Sequence, residues 1–527
     1  MRNLSRACIT ARALKAVGLK ENDRVTICMP NTPQALVMFY ALNVIGALPN
    51  MIHPLSAQGE IEFYLNFSHS VAAITLDAFY GKFAAVRGKT PDLQLLIIAK
   101  IKEELKPLLK LGFSLTTGRR IKPIPENADV LYWSDFIKMG QTYKLAYRAK
   151  RSAGDPAVVL YSGGTTGTTK GILLSNLNFN ALSMQVVASG DCVIPGHSML
   201  AIMPIFHGFG LGVCIHTILT HSCKCILVPQ FNAETYANLL RKQKPNYIAG
   251  VPTLYEALLR NKHMDGVDLS CLEGMFSGGD SLSVELKKKV DLFLRAHNAK
   301  IQVREGYGTT ECVTASCLTP KDFAKEGSIG IPFPDTYYKI VSPNTHTELP
   351  YGEIGEICLA GPTVMLEYID NPKETAHTLQ QHEDGMTWLH TGDLGYMDED
   401  GFIYFKQRLK RMIVSSGYNI YPSQIENIID AHEAVLMSTV IGVPDPYKIQ
   451  KVKAFVVLRP EIEPTDAVKK DIEEHCRKNI AKYAMPYEFE YRESLPQTLV
   501  GKVAYTVLEK EEHEKQQAAK EMAAAGK

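Results

Sequence analysis

The stretch YSGGTTGTTKG, Tyr161 to Gly171, is a run of glycines and threonines that ends in one ammonium group. Backbone N–H groups of such a loop, together with a lysine, can hold phosphate oxygens. A Walker loop needs its lysine directly after a glycine and before Ser or Thr, whereas Lys170 lies three residues beyond Gly167 and precedes Gly171. The context differs as well. Apolar Ala157–Tyr161 leads in, β-like Ile172–Leu174 leads out, and a helix can begin only near Ser175, so the loop joins strand to strand. On these residues alone, a flexible turn is as good a reading as a phosphate site.

Further stretches place chemically capable groups near glycines. GYGTTE, Gly306–Glu311, ends in a carboxylate that could ligate an oxygen-seeking Mg²⁺ or stabilise a helix start. WLHTGDLG, Trp388–Gly395, offers Asp393, whose two acceptors suit a pair of hydroxyls but which equally forms turns. PQTLVGK, Pro496–Lys502, ends in a lysine of the kind that usually is only solvated. His207 sits in FHGFGLG, where a lone histidine is ordinarily a satisfied core residue. The glycines Gly208, Gly210 and Gly212 spell G-x-G-x-G, which lacks the spacing and the following acid of a dinucleotide fold.

These groups need a scaffold, and 527 residues with 46% hydrophobic composition exceed what one core usually serves, which predicts at least two domains. From Asp23 to about Tyr307, short apolar runs such as VTICM, VAAITLD, AVVLYS and IQVREGYG alternate with helix-length stretches, the pattern of parallel sheets covered by helices. Past Gly327 the texture becomes alternating strands with turn signals, which predicts a small distorted β-barrel. Beyond Lys410, strands and helices follow in α+β order. The expected fold is α/β: a large N-terminal domain of two helix-covered sheets plus the barrel, residues 1–409, and a smaller mobile α+β domain, residues 410–527. Ala35–Ile52 reads as one buried core helix, and Glu509–Lys527 as a solvated helix or frayed end. Lys plus Arg number 57 against 56 Asp plus Glu, so no overall field favours nucleic acid or an anionic membrane. Eleven scattered cysteines without a C-x-x-C read as reduced core thiols, and the first twenty residues lack a signal peptide's apolar run, so a cytoplasmic location is expected.

In order, the phosphate-like loop, GYGTTE, WLHTGDLG and PQTLVGK resemble the motifs of the adenylate-forming superfamily, which includes acyl-CoA synthetases, luciferases and the adenylation domains of peptide synthetases. The likeness extends to MPIFHGFGLG, SGGDSL, GSIGIPFP and QRLKRMIVSSGYNIYPSQIE, and runs from near the N-terminus to about Lys510. It implies that a carboxylate attacks the α-phosphate of ATP to give an acyl-adenylate and pyrophosphate, and that a thiol then displaces AMP. Ser162, Gly163, Gly164, Thr165, Thr166 and Gly167 would wrap the β- and γ-phosphates, with Thr166 and Lys170 acting as pyrophosphate departs. Glu311 would hold Mg²⁺. Tyr307 would stack on adenine, with Gly279, Gly306, Gly308, Thr309 and Thr310 close by, while Asp393 and Arg408 would hold the ribose. Lys502 would bridge α-phosphate and carboxylate. His207 would line the acyl pocket with Leu211, Gly250, Gly278 and Val313; Leu211 stands where some fatty-acid ligases carry a gating tryptophan. Lys410 matches a hinge, and Ser416, Gly417 and Tyr418 would lie beside the pantetheine tunnel after rotation.

Two residues depart from the family pattern. Thr169 replaces the usual proline, which loosens the loop, and Gln407 replaces the usual aspartate before Arg408, which removes an acidic partner. Relative to the family the chain starts late, by about one strand-loop unit, so a longer chain is expected to be the more stable. The resemblance implies an ATP- and Mg²⁺-dependent acid–thiol ligase that makes acyl-CoA from a medium- or long-chain fatty acid. An aryl-acid CoA ligase and an acyl-AMP ligase that loads a carrier protein are the alternatives. A non-catalytic binding protein would not need Lys170, Glu311, Asp393 and Lys502 together. The expected partners are a small carboxylic acid, ATP and CoA, without nucleic acid or a transmembrane segment, and with at most weak peripheral membrane contact; the oligomeric state stays open.

Overall fold

The computed structural model describes residues 2–105, 107–162, 169–415, 418–445, 447–497 and 503–525. Its first sheet has eight strands, in the order Glu367–Tyr368, Lys170–Ser175, Pro156–Ser162, Leu48–Met51, Arg24–Cys28, Ala72–Leu76, Leu95–Ala99 and Leu131–Tyr132. Pairing is parallel from Pro156–Ser162 onward, and Lys170–Ser175 and Glu367–Tyr368 join antiparallel at the other edge. A second sheet of seven strands runs Ile331–Pro332, Cys317–Leu318, Val303–Tyr307, Gly274–Ser277, Tyr247–Gly250, Ser198–Ala201 and Lys224–Leu227. Both sheets contribute to one large apolar cluster through residues such as Ile27, Leu160, Tyr247 and Met275. Burial on both faces explains why their strands read as continuous apolar runs.

The expected core helix over 35–52 is two elements. Thr32 caps Pro33–Ile45, whose first residue is a proline, and Gly46 ends it in the left-handed conformation at φ 75°. The chain then forms strand Leu48–Met51, buried throughout. Gly46 supplies the stop and Pro49 cannot continue a helix. After the opening loop, Ser175 accepts the N–H of Asn178 and starts helix Asn176–Gly190, so the helix begins where the sequence placed it.

A third, five-stranded antiparallel sheet carries the region expected to be a barrel. Its centre is the long strand Thr387–Met397. One side pairs with Gly355–Ala360; the other pairs first with Leu379–Gln381 and then with Ile403–Arg408. The fourth sheet, residues 413–491, has its own core around Ile425, Val440, Ala454 and Ile472. The last helix, Tyr505–Ala525, is not merely solvated: Leu508 is fully buried beside Phe455 and Leu495. One turn on, Glu512 reaches Lys453 at 3.0 Å, and Lys453 also meets Glu488 and Glu490. Among the described residues no helix is long and apolar enough to cross a membrane.

Candidate active site

Ser162 and Lys170 are directly paired at the ends of antiparallel strands Pro156–Ser162 and Lys170–Ser175. The loop they bracket, with Gly163, Gly164, Thr165, Thr166 and Gly167, lies outside the described residues. Strand Lys170–Ser175 lies beside the short turn Thr310–Cys312, which carries Glu311. One side chain ties the two charges together. The Tyr368 hydroxyl donates to Glu311 Oε1 at 2.7 Å, and Lys170 Nζ stands 4.7 Å over the Tyr368 ring. Lys170 also pairs with Glu374, at the third position of helix Pro372–Thr378. Tyr368 thus holds the Lys170 ammonium and the Glu311 carboxylate at one corner of the first sheet.

Neither Tyr368 nor Glu374 was found from sequence. The pattern Asn371-Pro372-x-Glu374 marks a helix start, Asn371 Oδ1 accepting from Glu374 N at 3.2 Å, and it could have flagged the segment. Tyr368 carries no such signal. Its place follows from the pairing of Glu367–Tyr368 with Leu173 and Ile172, a register set across two distant segments.

Asp393 and Arg408 stand opposite one another on adjacent strands, with Arg408 Nε 3.5 Å from Asp393 Oδ1. The Tyr307 hydroxyl donates to Asp393 Oδ2 at 2.6 Å. Asp393 beside it raises the Arg408 guanidinium further above its usual range. Burial, then Asp393, drives the Tyr307 phenol well above its usual value, so Tyr307 stays a donor. A ring, a carboxylate and a guanidinium from three segments therefore converge on one surface. The short helix after Arg408 includes Lys410, and in it Arg411 bonds Glu426 Oε1 at 2.6 Å and lies 4.5 Å over the ring of Tyr505. Gln407 is completely buried, and neither of its amide atoms has a hydrogen-bond partner among the described residues. An aspartate there would have been a buried charge.

The PQTLVGK loop closes through a bridge between Gln497 and Val503 and a bond from Ala504 N to Pro496 O at 2.8 Å. Lys502, Ser416 and Gly417 lie outside the described residues; Tyr418 starts strand Tyr418–Ile420. Tyr505, just past the loop, lies under the Arg411 guanidinium, which Glu426 raises against the cost of burial.

Beside Tyr307, a narrow apolar cavity of about 50 Å³ runs into the second sheet, lined by Phe209, Val213, Ile218, Tyr247, Phe276 and Phe333 among others. Gly278, Gly279 and Gly306 form part of its wall, as do Thr314 and Ala315. His207, Leu211, Gly250 and Val313 are not in that wall. Leu211 is fully buried, and its neighbours Phe209 and Val213 face the space instead. His207 Nδ1 accepts from Phe209 N at 3.2 Å and so fixes the start of helix Phe209–Thr217. The glycines of FHGFGLG have a packing role: a Cβ on Gly208 would lie 1.8 Å from the carbonyl oxygen of Val313. Val313 itself sits at φ +68°, ψ −52°, a strained backbone for a β-branched residue. Such strain, two residues past Glu311, is held by the helix packed on it.

Glu305, on the same strand as Tyr307, is buried, and its carboxyl is pushed up to about 8 by desolvation; Oε1 accepts the N–H of Leu282 at 3.1 Å. In the fold it is protonated at neutral pH, whereas in the unfolded chain it ionises near its ordinary value of 4.5. The native state therefore binds more protons, and stability falls as pH rises from the unfolded value to about 8. Glu305→Gln should raise the melting temperature at pH 8, with a gain that shrinks toward pH 5. Calorimetric scans at the two pH values check this, and an equal gain at both would contradict it.

The AMP-binding enzyme family matches residues 4–369, and the AMP-binding enzyme C-terminal domain matches residues 424–502. The chain belongs to the AMP-binding enzyme family. It is 35% identical over 519 residues to a long-chain-fatty-acid–CoA ligase of Bacillus subtilis (strain 168), covering 97% of this chain and 89% of that protein. Among solved structures, ATP-bound MatB from Rhodopseudomonas palustris superposes with a TM-score of 0.82 at 25% identity, over 96% of this chain and 92% of that one. The anthranilate CoA ligase AuaEII in complex with anthranoyl-AMP superposes with a TM-score of 0.81 at 25% identity, over 99% and 92% of the two chains. Both superpositions cover nearly the whole chain and so the sheet architecture described above.

Proposed function

We propose that this AMP-binding enzyme is an acid–thiol ligase that converts a long-chain fatty acid, ATP and CoA to acyl-CoA, AMP and pyrophosphate. The observation that carries the reading is the juxtaposition of the apolar cavity with the nucleotide-binding groups: Gly306, in the cavity wall, adjoins Tyr307, whose hydroxyl meets Asp393. The almost wholly apolar lining suits an acyl chain with its carboxylate at the Tyr307 end, and the cavity must widen to admit it. The name of the Bacillus subtilis relative supports the same substrate class.

In this reading Tyr307 packs on adenine while Asp393 accepts from the ribose hydroxyls and Arg408 donates to the same sugar. Lys170 leaves Glu374 for the β- and γ-phosphates, and Ser162 with the glycine-threonine loop encloses them. Glu311 fits a Mg²⁺ site, because that ion takes one or two carboxylates and completes its shell with phosphates and water. When bound, Mg²⁺ would neutralise triphosphate charge. A carboxylate oxygen of the acid bonds to the α-phosphorus as the bond to pyrophosphate breaks. The CoA thiolate then attacks the acyl carbon, and AMP leaves with the former carboxylate oxygen. We assign residues 1–409 to the nucleotide- and acyl-binding domain and 410–527 to a mobile domain that brings Lys502 to the first step and Lys410, Ser416, Gly417 and Tyr418 to the second. His207, behind the cavity wall, acts by setting the course of helix Phe209–Thr217.

CoA-dependent AMP release over a panel of acids tests the substrate class. Long-chain acids should exceed benzoate and acetate in kcat/KM, and Val213→Trp, which narrows the cavity, should shift the preference toward shorter chains by about tenfold. Identical profiles for the two enzymes would contradict the assignment of the cavity.

We also propose weak peripheral contact with anionic lipid surfaces through helix Pro107–Leu115. Leu108, Leu111 and Leu115 share one face and are 82%, 60% and 54% exposed, and Lys110, Arg119, Arg120 and Lys122 lie in or just after the helix. Apolar side chains beside basic ones suit an interface of this kind. Leu108→Ser with Leu111→Ser should lower co-sedimentation with phosphatidylglycerol vesicles about tenfold. Unchanged sedimentation would remove the proposal.

A further inference from the structure

Three histidines converge on the antiparallel sheet. His390, on strand Thr387–Met397, stands opposite Cys358 of Gly355–Ala360. Glu356 holds it: Oε2 accepts from His390 Nδ1 at 2.9 Å, while Oε1 accepts the N–H of Gly392 at 2.9 Å. With its hydrogen on Nδ1, His390 presents the lone pair of Nε2 to His382 Nε2, 2.9 Å away. The rings of His346 and His382 are stacked with centroids 4.0 Å apart. One ligating nitrogen from each of the three histidines lies within 4.8 Å of the other two. His382 and His390 are buried, at 5% and 9% exposure, whereas His346 is open to solvent and provides an entrance. His382 Nδ1 is buried without a hydrogen-bond partner among the described residues.

We propose that His346, His382 and His390 form a binding site for a divalent transition-metal ion of the zinc type. Imidazole nitrogens favour such ions over Mg²⁺ and Ca²⁺. A histidine whose second nitrogen donates to a carboxylate, as His390 donates to Glu356, is the arrangement that orients a metal ligand and raises its basicity. The ion would sit between the two Nε2 atoms, in place of the hydrogen that now joins them. His382 would move that hydrogen to Nδ1, so both histidines ligate as neutral imidazoles without net proton loss. Zinc–nitrogen bonds of about 2.0 Å in a tetrahedral set require the two Nε2 atoms to separate by roughly 0.4 Å. His346, whose ring now stacks parallel to that of His382, would rotate out of the stack and give up its 2.7 Å hydrogen bond with Gln380 to supply a third nitrogen, and water would complete the shell.

Trp388 provides the readout. Its ring lies 5.8 Å from that of His382, and the protein's other tryptophan, Trp133, is on a helix packed with the first sheet's core. The untagged full-length chain is titrated with Ni²⁺ while tryptophan emission is followed, with Zn²⁺ as competitor. Saturable one-to-one quenching that Zn²⁺ reverses and Mg²⁺ does not is the expected result. His382→Ala should weaken Ni²⁺ affinity at least about tenfold. Because His382 is buried and its loss could unfold the sheet, the exposed His346→Ala is the second variant, with the same expected direction. Quenching that does not saturate, or an affinity unchanged in His346→Ala, would overturn the site. Glu356 is left intact, since it also holds Gly392 beside Asp393.

Discussion

Lys170→Ala should lower acid-dependent pyrophosphate release by about one hundredfold or more, and Glu311→Gln should do the same. Both losses follow from charge placed before the reaction begins. Lys170 leads a strand whose other residues are locked into the first sheet, so its ammonium is held near the loop rather than waving in solvent. Glu311 is on a turn fixed on one side by the strained Val313 and on the other by a bond from Met365 N to the Glu311 carbonyl oxygen at 2.7 Å. As negative charge moves toward the departing pyrophosphate, a positioned cation stabilises it without reorganisation, and its removal raises the barrier directly. Tyr368 touches both groups, so Tyr368→Phe should have a smaller effect that falls on KM for ATP more than on kcat. Near-normal pyrophosphate release by both charge variants would remove the assignment of this corner of the site.

The second large effect separates the two half-reactions. Lys502→Ala should abolish acyl-AMP formation yet still convert supplied acyl-AMP and CoA to thioester, because an ammonium that meets the α-phosphate has no task once pyrophosphate has gone. Among the described residues on either side of this lysine, Val503 pairs with Gln497, and Tyr505 lies under Arg411, three residues past Arg408. Lys410→Pro should behave in the opposite sense. The proline fixes φ in the short helix Leu409–Arg411, where the chain passes between the third and fourth sheets, and a hinge must absorb the backbone change that reorients a domain. Adenylation should be spared and thioester formation slowed. Equal damage to one half-reaction by both substitutions would require a single fixed arrangement of the two domains.

How far the site could be read in advance depended on whether its residues are neighbours in sequence or in register. The loop before Lys170 declares itself because hairpin strands bracket it, and both strands are apolar runs. GYGTTE and WLHTGDLG were visible as motifs, and the structure brings Tyr307, Asp393 and Arg408 together across adjoining strands. Tyr368, Glu374 and Glu356 were not visible, since each acts across a pairing between segments far apart in the chain. On this helix the acyl wall was read two residues off: Leu211 was expected in it, but Phe209 and Val213 are there, because the π-helical winding of Phe209–Thr217 turns Leu211 into the core. The helix expected over 35–52 failed for a plainer reason, in that apolar residues suit a buried strand as well as a buried helix and only Gly46 marks the change.

The central claim is that the acid's carboxylate attacks the α-phosphate of ATP. It is tested most directly with a long-chain fatty acid labelled with ¹⁸O in both carboxylate oxygens, turned over with ATP, Mg²⁺ and CoA, with the phosphate-containing products then analysed by mass spectrometry. The account predicts one ¹⁸O in each AMP, none in pyrophosphate, and one retained in the thioester carbonyl. Label in inorganic phosphate with ADP as the nucleotide product, or AMP free of ¹⁸O, would contradict it.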